Sequence, residues 1–194
     1  MKKKTFALLL SLVLVFGVVA GGTIAWLTQT TTPVVNTFTY GDINITLGET
    51  TGNDYKIIPG VNIKKDPKVT VTAGSEACYL FVKVQEENWP TLTEADGTTK
   101  KVSYKIANGW TALLGHDGVY YREVSATDAK NGVFYYVLAG NDDYADGVVT
   151  VSENLTKTEV SGLKANQPKL TFTAYAVQKD GVTTVADAWA KADA

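Results

Sequence analysis

Between Asp42 and Val177 apolar side chains recur at every second position in short runs, and turn residues close each run. A period of two places successive side chains on opposite faces of an extended backbone, so it commits the chain to half-buried strands. Asp42-Ile43-Asn44-Ile45-Thr46-Leu47 is one such run, and Val69 and Val71 repeat the period between Pro67 and Gly74. Leu80, Val82 and Val84 are predicted to share one face, with Lys83 and Gln85 on the other. Residues 102–106 alternate again before the turn signal Asn108-Gly109, and His116-Asp117-Gly118 turns into Val119-Tyr120-Tyr121. Residues 133–138 form a continuous apolar and aromatic run, which predicts a strand buried on both faces. Val148-Val149-Thr150-Val151 follows an acidic loop, and residues 169–177 put Leu170, Phe172, Ala174 and Ala176 on one face of a last long strand. Only 185–192 has helical spacing, with Trp189 on its apolar side. Eight or nine strands at short intervals predict one all-β domain, a sandwich or a barrel, with a short C-terminal helix. Composition agrees, since 26 Thr, 23 Val and 20 aromatic residues favour a pleated surface.

The N-terminus has a different pattern. Lys2, Lys3 and Lys4 precede an apolar core over residues 6–20, and Gly21-Gly22 then leads to the small residues of Thr23-Ile24-Ala25. This is the layout of a cleavable export signal, a helix over 1–25. Cleavage is expected after Ala25, leaving Trp26 as the mature N-terminus, with a cut after Ala20 as the alternative. Left uncut, 5–27 is long enough to span a bilayer, so membrane contact is expected only through the uncleaved signal. Losing the three lysines takes a formal charge of -2 to about -5. A mildly acidic mature chain without a basic stripe is a poor nucleic-acid binder.

Reactive residue types are scarce. One His, His116, and one Cys, Cys78, exclude intramolecular disulfides, Cys/His zinc clusters and an HExxH metal site within the chain. Cys78 lies among apolar strand residues and reads as a small buried hydrophobe. His116 sits in a Gly-rich turn with no nucleophile elbow elsewhere. Glu86-Glu87 point to opposite sides of an extended chain, a poor acid/base couple. Residues 141–147, with Asp142, Asp143 and Asp146, lack the ligand spacing of a calcium loop and read as a charged hairpin loop. Trp26, Trp89, Trp110 and Trp189 are spread along the chain and read as core or sheet-edge packing. No catalytic, cofactor-binding or metal-binding set is expected.

Residues 26–38 are rich in Thr and Val and short of charge, which suits pairing along an open sheet edge; a flexible tail or a first strand of the chain's own sheet are the alternatives. Pro33 restricts the ladder there because it donates no N–H.

Two blocks, Gly21-Gly22-Thr23-Ile24-Ala25-Trp26-Leu27-Thr28 and Asn36-Thr37-Phe38-Thr39-Tyr40-Gly41-Asp42-Ile43-Asn44-Ile45-Thr46-Leu47, resemble the N-terminal signature of TasA/camelysin-type exported proteins. The likeness continues at Pro59-Gly60, at residues 64–69 and 78–84, and at Ala174-Tyr175-Ala176-Val177-Gln178 with Ala188-Trp189. Residues 85–165 match only in strand-rich character. The resemblance implies a Gram-positive secreted protein with a single jelly-roll-like antiparallel β-sandwich over 38–194. It implies processing by a dedicated SipW-type signal peptidase, and location at the cell surface or in a biofilm matrix. It further implies self-association into fibres, in which the segment 26–37 acts as a donor strand, with Trp26, Leu27, Val34, Val35 and Phe38 as the assembly residues. A minor or anchoring fibre protein is the other partner class. The same family carries a metallopeptidase label, which one His supports poorly, and an adhesin for host glycan or protein is a third reading.

Overall fold

The computed structural model describes residues 41–192 except Asn53. The expected signal, the cleavage pair Ala25 and Trp26, and Leu27, Val34, Val35 and Phe38 all lie outside the described residues. Ten strands form three antiparallel sheets. The first sheet has the order β1 (Ile45–Gly48), β3 (Lys68–Val71), β8 (Val133–Tyr136). The second runs β10 (Lys169–Gln178), β4 (Cys78–Glu87), β7 (Val119–Val124), β6 (Thr111–Ala112). The third runs β2 (Ile63–Lys64), β9 (Val148–Val151), β5 (Val102–Tyr104). The chain is therefore all-β and sandwich-like. No helix among the described residues is long and apolar enough to cross a membrane.

The alternation places the core. Leu80, Val82 and Val84 of β4 pack with Val69 and Val71 of β3 and with Val124, Val137 and Leu138, joining the first and second sheets. Leu170, Phe172, Ala174 and Ala176 face this core along one side of β10. The opposite face of the second sheet is not left to water. Phe81, buried fully, meets Trp189 of the C-terminal helix α3 (Val185–Ala192) at 5.2 Å between ring centroids, and Tyr175 meets the same indole at 5.2 Å. β4 is thus buried on both faces over its first half, which explains its unbroken Tyr79-Leu80-Phe81-Val82 run.

The first and third sheets continue one another. The chain passes from β2 to β3 through Lys65-Asp66-Pro67, where Pro67 has no N–H to give. Lys65 N–H donates to the Gly147 carbonyl at 3.1 Å and Val137 N–H to the Pro67 carbonyl at 2.8 Å, carrying the pairing across the break. A Cβ on Gly147, which has φ +141°, would sit 2.2 Å from the Lys65 carbonyl oxygen, so this close approach requires glycine.

Several expectations need correcting. Residues 133–138 are not buried on both faces: Phe134 is 53 % exposed. The outer face of the first sheet has no covering layer among the described residues, and Phe134 is flanked there by Tyr136, edge-on at 5.7 Å between ring centroids, and by Lys68, whose Nζ lies 5.1 Å from the ring centroid. Two helices join the expected one, α1 (Ala126–Asn131) and α2 (Lys157–Asn166). Both are short and weakly patterned, but each has a cap. Ser125 Oγ accepts from Asp128 N, and Thr156 with Glu159 completes a capping box. The Asn108-Gly109 turn carries the chain from the third sheet to the second rather than closing a hairpin, because β5 and β6 belong to different sheets.

Replacing Trp189 by Ala removes the lid over Phe81 and should cost about 3–5 kcal/mol in chemical denaturation, whereas Phe134→Ala on the open face should cost about 1 kcal/mol or less. Equal costs would contradict this placement of the two aromatics.

Candidate functional site

β10 is the longest strand that borders a sheet, and among the described residues only β4 pairs with it. In an antiparallel ladder residues alternate between exchanging both backbone bonds with the facing residue and pointing away from it. On β4, Val84 N–H donates to the Gly118 carbonyl at 2.8 Å, so the even residues of β4 turn their backbone toward β7. The odd residues of β4 therefore serve β10, and the bond from Lys179 N–H to the Ala77 carbonyl at 2.9 Å continues that series. By this parity Thr171, Thr173, Tyr175 and Val177 are bonded to β4. The backbone groups of Leu170, Phe172, Ala174, Ala176 and Gln178 point outward and meet no backbone partner among the described residues.

The same outward-bonding residues, apart from Gln178, direct their side chains at the core, where they are only half-buried. β1 repeats this arrangement in miniature. Thr72 N–H donates to the Asn44 carbonyl at 2.8 Å, so Ile43, Ile45 and Leu47 turn their backbone groups away from β3. β1 and β10 lie beside each other. The core is thus thinly covered along the side where, among the described residues, two sheet edges carry no further strand. Strand edges are usually blunted by prolines, inward charges or bulges. β10 has no proline, and its only charge, Lys169, sits at its first residue, 3.1 Å from Glu87.

A groove of about 930 Å³ adjoins the start of β10, with Leu170, Ile57, Ile63, Trp89, Val149 and Leu163 among its lining. α2 forms one wall. Its first turn is fixed by Glu159, which accepts from Thr156 N–H at 2.7 Å and from Lys101 Nζ at 2.9 Å. These bonds hold the Glu159 carboxyl down at about 2. A segment after β1 forms the other side. Glu49 grips the buried Lys65 ammonium at 2.7 Å, and Lys65 Nζ also lies 4.9 Å from the Tyr55 ring and 5.5 Å from the Phe172 ring on β10. Burial would raise the Asp66 pKa, but hydrogen bonds from Thr50 and Thr51 and the charge of Lys64 hold it below the usual range.

The reactive side chains are dispersed. Cys78 is fully buried in β4, and burial pushes its thiol up to about 11. His116 is exposed in the β6–β7 turn, its ring 6.0 Å from Trp189. Glu86 accepts from Tyr104 Oη at 2.7 Å, and Glu87 pairs with Lys169. In the acidic loop Asp143 is bound by Asn62 at 2.9 Å and Asp146 lies 3.7 Å from Lys64, so these carboxylates tie the loop to β2. Trp110 is buried, with Nε1 donating to the Tyr136 carbonyl at 2.8 Å, and Trp89 packs edge-on against Tyr104. Among the described residues no group of three or more His, Cys, Asp or Glu side chains is placed to hold a metal ion. No family model matches the chain, and no curated protein or solved structure does either.

The parity of β10 can be checked with two prolines. Ala174→Pro deletes an outward N–H and should leave thermal stability nearly unchanged, since proline is tolerated on the free side of an edge strand. Thr173→Pro deletes a bond to Lys83 and should destabilise by about 1–3 kcal/mol or more. The reverse order would show that the open side has been misplaced.

Proposed function

We propose that the protein is an exported, non-catalytic structural protein that assembles into fibres at the cell surface or in an extracellular matrix. Cleavage after Ala25, by a signal peptidase of the SipW type, frees residues 26–38, and that segment adds as a strand to β10 of the next copy. The observation that carries this reading is the edge of β10, unpaired among the described residues, where outward backbone groups and half-buried apolar side chains occur at the same residues. Each ladder bond alone contributes about 0.5–1.5 kcal/mol because water already solvates the free edge. Burying core-facing apolar area adds about 25 cal/mol per Å², so an incoming strand gains most where the core is thin. Packing of the first and second sheets around a shared core supports a jelly-roll-like sandwich as the fibre's repeating unit. The resemblance of the N-terminal blocks to TasA/camelysin-type proteins supports export and the choice of segment.

Purified protein starting at Trp26 should form fibres or head-to-tail oligomers in negative-stain electron microscopy. Deleting residues 26–37 should leave monomers, and Ala174→Pro should do the same without unfolding the domain. A protein that stays monomeric under all conditions and cleaves casein in a chelator-sensitive way would overturn the structural reading in favour of a peptidase.

A further inference from the structure

We infer that the groove between α2 and the segment after β1 binds a long-chain fatty acid, with the hydrocarbon chain along the groove and the carboxylate held by Lys56 and Lys164. It does not depend on strand insertion, since the residues concerned belong to the third sheet, α2 and the start of β10. A helix of ten residues is barely stable alone and is ordinarily kept by burying an apolar face. α2 buries none of its residues. Val160, Leu163, Lys164 and Gln167 have the spacing of one helical face, and all four line the groove. Val160 and Leu163 are only half-buried against the core of the third sheet, to which Val102 and Val149 contribute the floor of the groove. Polar bonds hold the helix instead: the capping box at Thr156 and the bond from Lys101 Nζ to Glu159. The helix is thus propped beside an apolar floor, and the space of about 930 Å³ is within the range of small-molecule sites.

The lining favours a hydrocarbon chain. Ile57, Ile63 and Leu170 extend the apolar surface and ask for no hydrogen bonds. A peptide laid there would leave its amide groups unpaired against these side chains. A sugar would need aromatic faces to stack on, but Trp89 is packed edge-on against Tyr104 and the Tyr55 ring is taken by Lys65. Charge then decides the head group. Four lysines line the groove, Lys56, Lys65, Lys164 and Lys169, against one carboxylate, Asp54, in a chain whose formal charge is -2. Lys65 and Lys169 are already paired, with Glu49 and Glu87. Lys56 and Lys164 are exposed, one on each side of the groove, and neither makes an ion pair among the described residues. A single anionic end on an otherwise apolar chain meets both conditions.

Fluorescence titration with cis-parinaric acid tests this in protein starting at Trp26. Saturable binding at about one probe per chain is expected, with displacement by laurate. Leu163→Asp places a charge on the groove wall and should weaken binding about tenfold or more. Lys56→Glu combined with Lys164→Glu should weaken laurate about fivefold or more but leave dodecanol, which has the chain without the charge, within about twofold. Its thermal melt should match that of the unsubstituted protein, because both side chains are exposed. Absence of saturable binding, or unchanged binding by Leu163→Asp, would overturn the inference. Equal effects on laurate and dodecanol in the double variant would overturn the assignment of the head group to the two lysines. Co-sedimentation with phosphatidylglycerol vesicles, with no displacement of the probe by laurate, would overturn it in favour of a lipid surface.

Discussion

The ladder between β4 and β10, ten residue pairs from Lys169 opposite Glu87 to Gln178 opposite Cys78, sets most of what surrounds it. β4 spends one set of backbone groups on β7 and the other on β10, and β10 borders the sheet among the described residues. The same ladder aligns Leu80, Val82 and Val84 with Ala176, Ala174 and Phe172 on the core face. On the other face it brings Phe81 beside Tyr175, the two rings that receive Trp189. One register therefore positions both apolar layers. A slip by a single residue would exchange core and helix faces along both strands at once.

Charged groups close the ends of this framework. Lys65 with Glu49 and Lys101 with Glu159 are partly buried pairs, each joining segments distant in sequence. A partner removed from such a pair leaves an uncompensated charge, which is why these contacts fix geometry more than they add stability. They hold the segment after β1 and the helix α2 on opposite sides of the groove that adjoins β10. The side of the sandwich bearing β10 and β1 has no comparable closure among the described residues.

Which parts were legible in the sequence follows from what is local. The alternation through Leu80, Val82 and Val84, and through Leu170 to Ala176, carried the core face correctly because period two is a property of the strand itself. The amphipathic spacing around Trp189 revealed α3. Phe81 as its receptor was not legible, since that pairing depends on the neighbouring strand. α1 and α2 were missed because their apolar content is low, although Ser125-x-x-Asp128 and Thr156-x-x-Glu159 are cap signals that mark both starts. Residues 133–138 read as doubly buried because composition cannot distinguish a covered face from one where Phe134 and Tyr136 pack only on each other and under Lys68. That β10 has a single partner among the described residues was wholly out of reach. Whether a strand has one lateral neighbour or two is a matter of topology, and the residues of β10 would read the same in the middle of a sheet.

If the proposed strand insertion holds, the even-numbered backbone amides of β10 are a rail that is free in the isolated domain and occupied after assembly. Residue-resolved amide hydrogen exchange tests it most directly, comparing protein lacking residues 26–37 with assembled protein starting at Trp26. Fast exchange is expected at Phe172, Ala174 and Ala176 in the truncated monomer, beside protected Thr173 and Tyr175, with strong protection of all five after assembly. Even-numbered amides already as protected as their neighbours in the monomer, or unchanged by assembly, would contradict it.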